Sequence, residues 1–514
     1  MGLAMRALFG GYDMIGSGLW LRAAALCVAL GGAALLAACN AATGETELAS
    51  AGACPEGFGW AEGLPAHFQP DAQFPTKFSA DADDCLFQQW SWEAFSWATA
   101  MIDNQPRFLS LKTMEQLDPH GTAAPGGMLR LTPRSTKAHN LPVEDYDAAF
   151  VEADGSVLIG QNGYPVYASV HMNDSYFTTA QANLIVDGKY QANAGADTPG
   201  AASADCGELG ESEGSNNAYF QCGAAVFKAT WLRLKEGEAA PEGAYVTTAE
   251  VPVLKNLCTM KSCTVVATDQ YVQAQVALVG LHVVGYVEHH PEFLWATFEH
   301  QDNSPSVPDG TFAFGDASDP KGYTFYAAGT PFEQDKVLVP NQPAQQGGPP
   351  LLTFNEATQT FAPITQVVQM NRTGGDTQPN GPANITAVNE ASRNTMKNAG
   401  VFQQYYFLVG TAWLKPDTYV ATNPDITKPS VQWNGLAVGS VALANMTAET
   451  FMQAPGTGDT LNCFACHNPQ SFSFNDPAMP LRRVAISHAL AVDTPFAVPN
   501  QAAGKIPSGG GAGQ

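Results

Sequence analysis

The sequence predicts an α+β fold, a β-rich body with several helices followed by a C-terminal segment of different character, and three observations carry that prediction. The chain has 514 residues, 45% of them hydrophobic and 14% charged. That composition buries a large core and excludes a disordered polypeptide. Apolar and aromatic residues recur at helical spacing between Asp84 and Met101, and short β-rich runs recur through the middle of the chain.

Taken in order, Asp84 is placed to cap a helix reaching about Met101, with Phe87, Trp90, Ala94, Trp97, Ala98 and Met101 on one buried face. Strands are expected at Tyr164–Val170 and Ala225–Trp231, and the run Val276–Val284 is apolar enough to be a central strand. Proline, glycine and asparagine make loops of 340–350 and 371–384. A helix over 386–398, a core strand over 404–414 and a helix over 442–453 follow. The last leads into the C-terminal segment, and the glycine-rich 507–514 reads as a disordered tail.

The first residues speak to compartment. Arg6 and Arg22 precede an apolar run from Ala23 to Ala38 that is short for a membrane span and suits a secretory signal. The run ends in Leu36-Ala37-Ala38-Cys39, which resembles a lipoprotein box, with Cys39 the lipidated residue. Residues 1–38 are then a signal peptide and 39–53 a small, polar tether. Asn40 is not the aspartate that retains such proteins on the inner membrane, so an outer-membrane lipoprotein facing the periplasm or the cell surface is expected. With 24 Lys and Arg against 48 Asp and Glu, the net charge is −24. A chain so acidic can hardly assemble the basic face that nucleic acid requires.

Export places the cysteines in an oxidising space. Six of them pair most economically as neighbours, Cys54 with Cys85, Cys206 with Cys222 and Cys258 with Cys263. Cys463-Phe464-Ala465-Cys466-His467 is different. Two thiols separated by two residues reach the two vinyl groups of one porphyrin edge, and the adjacent imidazole is carried beneath the iron. A thioredoxin-like pair would need a βαβ unit around it, and a zinc site a second ligand pair nearby. Neither is in the flanking sequence, so one covalently attached haem c is expected, with Cys463, Cys466 and His467 as its anchors.

The sixth iron position is open to His488, Met479, His300, His282 or water. His488 is preferred, because Met479 sits between Pro477 and Pro480. Arg482 and Arg483 would then lie near the haem propionates. The cluster Glu288, His289, His290, Glu292, Glu299, His300 and Asp302 raises a second metal site as an alternative to a polar, hydrogen-bonded group. Strand alternation argues that Glu299 and His300 face opposite ways. The chain stops too soon after His467 for a free-standing small cytochrome c domain, so residues 441–506 are expected to rest on a body spanning 54–440, which could divide into two subdomains.

The strings Trp90–Phe95, Val226–Trp231, Leu278–Val284, Trp295–Asn303, Ala442–Asn445 and Cys463–His467 resemble a family of exported bacterial proteins identified as cytochrome c family proteins. The resemblance spans most of the chain and implies a haem-bearing, β-rich body without specifying a reaction. The function expected is electron transfer by a mono-haem lipoprotein with a redox partner and a membrane anchor. The alternatives are a haem oxidase or peroxidase with a substrate pocket in the large body, and a haem-based sensor or binding protein.

Overall fold

The computed structural model describes residues 54, 64, 66–79, 82–118, 124–133, 157–186, 189–190, 220–258, 263–306, 315–318, 321–332, 353–369, 375–415, 433–450, 462–470 and 483–490. The stretches expected to be signal (1–38) and tether (39–53), the loops expected over 194–217 and 340–350, and the expected tail (507–514) lie outside them. Among the described residues no helix is long and apolar enough to cross a membrane.

The fold is α+β and rich in strand. A nine-stranded sheet is formed by β1 (Lys112–Thr113), β2 (Leu129–Arg130), β3 (Val166–Met172), β4 (Ala225–Arg233), β5 (Val246–Cys258), β6 (Cys263–Val287), β7 (His290–His300), β8 (Tyr406–Leu414) and β9 (Ala437–Gly439). Its path runs β9-β8-β7-β6-β4-β3-β1, with β5 pairing both β6 and β2. Every pairing is antiparallel except that of β2 with β5.

The 25-residue β6 is the spine. Along one edge it pairs with β4 from Val276 to Gly285; along the other it pairs with β5 from Cys263 to Ala277 and then with β7 from Gly280 to Val287. The run Val276–Val284 is therefore paired along both edges, and its buried faces explain why it is apolar at every position but His282.

Three helices complete the frame: α1 (Asp84–Thr99), α2 (Asp174–Ala182) and α3 (Gly381–Asn398). Alternation along the strands gives the sheet two buried faces. On one, Phe227, Trp231, Leu281, Val283, Leu294, Phe298 and Leu408 pack with α1 and the buried part of α3. On the other, Val226, Val284, Tyr286 and Trp295 pack with α2 and residues 484–490. Both coverings sit tight on β6. A Cβ at Gly285 would meet Phe74 at 2.6 Å and Trp90 at 2.9 Å, whereas one at Gly280 would meet the Thr447 hydroxyl at 2.3 Å.

The structure corrects several local expectations. The α1 cap is Asp83, whose carboxylate accepts from Leu86 N at 3.1 Å, because Asp83 is extended while Asp84 is already helical. The helix ends at Thr99, leaving Met101 45% exposed, while Trp92 and Phe95, off the expected stripe, are fully buried. Helix α3 starts earlier than its periodicity suggests, since Pro382 fits the first turn. The strand expected from 404 starts at Tyr406 after a 3-10 turn, Phe402–Tyr405.

No helix forms over 442–450, and side chains take the backbone donors there. Asn445 Oδ1 accepts from Thr447 N at 2.9 Å and Ala448 N at 3.0 Å, while Glu299 accepts from Met446 N at 2.9 Å. Cys54 and Cys85 form a disulfide with Cα atoms 5.5 Å apart. Cys222 is disulfide-bonded as well, and Cys206 lies outside the described residues. Cys258 and Cys263 stand opposite each other in the β5–β6 register.

Candidate functional site

The CxxCH segment begins as one helical turn, Cys463–Cys466, docked on the face of the sheet opposite α1. Asn462 caps it, accepting from Phe464 N at 3.0 Å. Asn468 closes the other end, its amide donating to Phe464 O at 3.0 Å and Ala465 O at 3.2 Å. Phe464 is the anchor. It is buried against Ala412 and Leu414 of β8, with Trp295 of β7 edge-on at 6.2 Å.

A turn of this kind puts residues three apart on one side. Cys463 and Cys466 are therefore displayed together, both partly exposed and both thiols rather than disulfide sulfurs. Cys463 also rests on Phe407, Val409 and Leu443.

His467 leaves the turn and is buried. Its Nδ1 lies 2.8 Å from Ile486 O. A carbonyl can only accept, so Nδ1 carries the proton and the lone pair of the neutral ring is on Nε2. One face of the imidazole lies near Trp295, centroids 4.3 Å apart at 41°, and His488 stacks on the ring at 3.9 Å and 18°. Trp295 is held in turn by its indole N–H to Glu292 O at 3.3 Å.

His488 donates from Nε2 to Cys466 O at 3.0 Å. Ring stacking and this bond keep it against the motif itself. His488 stacks on the ring of His467, and its Nε2 is engaged by Cys466 O. The 3-10 turn Arg483–Ile486 supplies the Ile486 carbonyl. Met479 and Arg482, and the side chain of Arg483, lie outside the described residues.

The other histidines proposed for iron are engaged elsewhere. His282 lies on the motif's face of the sheet, but its Nδ1 is 2.8 Å from Thr297 Oγ1 and its Nε2 2.8 Å from Glu449 Oε2, which also accepts from Asn445 Nδ2 at 3.0 Å. His300 points to the α1 face, beside Tyr406 at 5.2 Å. Burial lowers its pKa to about 4, so the ring is neutral near pH 7. Its Nε2 donates to Glu242 O at 3.0 Å and its Nδ1 accepts from Asp302 N at 3.2 Å. Either residue could bind iron only by giving up a hydrogen bond on the binding nitrogen.

Glu299 turns to the opposite face, toward Met446. His290 pairs with Glu292 at 2.9 Å, and among the described residues no group of three or more His, Cys, Asp or Glu side chains is placed to hold a metal ion.

The spacing in CxxCH marks the two thiols and His467. It does not mark Trp295, Asn468 or the Ile486 carbonyl, because these meet His467 only through the fold. Asn462, an asparagine directly before the turn, is the one partner with a local signal. Comparisons of the chain with models of protein families, with curated proteins and with solved structures find no match.

Proposed function

We propose that this chain carries one covalently attached haem c on an exported, lipid-anchored protein and that it serves electron transfer. The observation that supports this reading is the His467 tautomer. A proximal imidazole needs its Nδ1–H bonded to the protein and its Nε2 basic, and the Ile486 carbonyl imposes that state. The two thiols on one side of a capped turn fit the same group. When bound, haem supplies one-electron chemistry at an iron whose potential depends on its axial ligands and surroundings.

This chain's own residues supply the setting. Ile486 O fixes the proton on His467, while Trp295 and His488 limit rotation of the ring and shield it from water. Phe464 ties the turn to β8. In this reading His488 is a positioning residue, holding the proximal imidazole and the motif backbone.

Expression with a cytochrome c maturation system tests the proposal. Haem should remain on the denatured polypeptide of the wild type and be absent from the Cys463→Ser, Cys466→Ser protein. Haem extracted from the wild type by acidic organic solvent, or no haem at all, overturns it. His488→Ala should keep the wild-type spin state and shift the reduction potential. A change from low-spin to high-spin would instead make His488 the sixth ligand.

A further inference from the structure

Where β7 ends, a cleft of about 360 Å³ opens between the segment that follows it, the segment around Lys321 and the strand-like residues before 370. Backbone bonds fix its walls. Thr324 N donates to Asp302 O at 2.8 Å, Phe325 N to Asn303 O at 2.8 Å, and Gln369 N to Pro305 O at 2.8 Å. Phe407 forms an apolar side of the cleft, and the rest of the lining is almost wholly polar.

Two lining residues carry atoms with no hydrogen-bond partner among the described residues. Ser304 is 7% exposed and Gln369 6% exposed, and neither Ser304 Oγ nor Gln369 Nε2 has a hydrogen-bond partner. Buried polar atoms are almost always paired, so two bare ones in the lining of one cleft point to a ligand that pairs them.

Which ligand follows from the charges beside them. Glu299 and Asp302 line the same cleft, with Lys321 ion-paired to Asp302. A metal ion or an ammonium group brings no acceptor and would leave the Gln369 amide donor bare. An anion brings acceptors but meets two carboxylates, on a chain of net charge −24. A hydroxyl both donates and accepts, so it satisfies the Gln369 Nε2 donor and the Ser304 hydroxyl as well, and it donates to a carboxylate.

We propose that this cleft binds a neutral, polyhydroxylated small molecule, a sugar or an acyclic polyol, with Gln369 and Ser304 as its buried contacts. Phe407 belongs to the same apolar cluster as Val409 and Leu443, against which Cys463 packs. Binding needs no haem, so the outcome of its test is separable from that of the haem proposal.

The test is calorimetric titration of the full-length protein with glucose, maltose and sorbitol, against succinate and spermidine as charged controls, alongside melting of the ligand-free protein. Saturable millimolar or tighter binding of at least one neutral probe is expected, with cyclic and acyclic probes telling sugar from polyol. Gln369→Met and Ser304→Ala should each weaken that binding by about tenfold or more. Neither should melt below the wild type without ligand, because each removes a bare polar atom. Absence of binding by every neutral probe, preference for succinate or spermidine, or unchanged binding in both variants overturns the proposal. If Gln369→Met fails to fold, Ser304→Ala decides alone.

Discussion

On the α1 face of the sheet, Phe95 stacks on Phe298 with centroids 4.1 Å apart, Phe87 stacks on Trp413 at 3.8 Å, and Trp92 meets Phe298 edge-on at 5.1 Å. On the opposite face the intervening positions of β6 and β7 hold His282, Trp295, Thr297 and Glu299, covered by the C-terminal segments. The same strands build both. Because neighbouring residues point to opposite sides, one strand carries an aromatic core and a polar network without either intruding on the other. The aromatic face supplies burial energy that tolerates no loss of volume. The polar face is ordered by matched donors and acceptors, and it presents the surface on which His467 is fixed.

The largest effect should come from breaking the aromatic face. Phe95→Ala removes a fully buried ring and should lower the unfolding free energy by about 3–5 kcal/mol, read by urea denaturation. Covalent haem on the protein that does fold should be unchanged. A loss of less than about 1 kcal/mol would show that the α1 face is not the main source of stability.

A smaller effect is expected from the polar face. Glu449→Ala removes the acceptor shared by His282 Nε2 and Asn445 Nδ2, at about 2–3 kcal/mol. The double variant His282→Leu, Glu449→Ala should cost less than the sum of the two single changes, since it no longer strands the imidazole. Strict additivity would mean that the two residues are not coupled.

A further effect appears only as pH changes and concerns a carboxyl at the edge of the α1 face. Asp376 accepts from Gln88 Nε2 at 3.2 Å, and its pKa is pushed up to about 7 by burial and by the neighbouring Asp84 carboxyl. A carboxyl with a raised native pKa binds its proton more tightly when folded, so the contribution is fully present below the unfolded value. It is lost as pH rises from about 4 to about 7. Stability measured by urea midpoint should fall across that window, and Asp376→Asn should flatten the slope. An unchanged slope would leave the pH dependence to other groups.

How far the sequence carries differs between these regions for a physical reason. α1 declares itself through aspartates at its start and regularly spaced aromatics, although the cap is Asp83 and not Asp84, and Val276–Val284 declares itself as a central strand by being apolar at every position but His282. CxxCH is legible because its chemistry is confined to five consecutive positions. The turns over 442–450 were not legible, since Asn445 and Glu299 capture backbone donors that local propensity assigns to a helix. The stacking of His488 on His467 and the approach of Trp295 are long-range contacts, and no local pattern encodes them. The preference for His488 as a ligand rests on its nearness in sequence, whereas its stacking on His467 and its bond to Cys466 O are contacts that nearness does not specify.

The docking of the CxxCH turn bears on the order in which the molecule is made. Every strand beneath it, from β3 to β8, and Trp295 with them, precedes Cys463 in the chain. Synthesis runs from the N-terminus, and earlier parts of a chain can organise before later ones emerge. The sheet can thus stand as a finished template when the two cysteines appear, and the last segment has only to settle onto it. A motif at the other end of the chain would instead wait, with its thiols unprotected, for a surface not yet made.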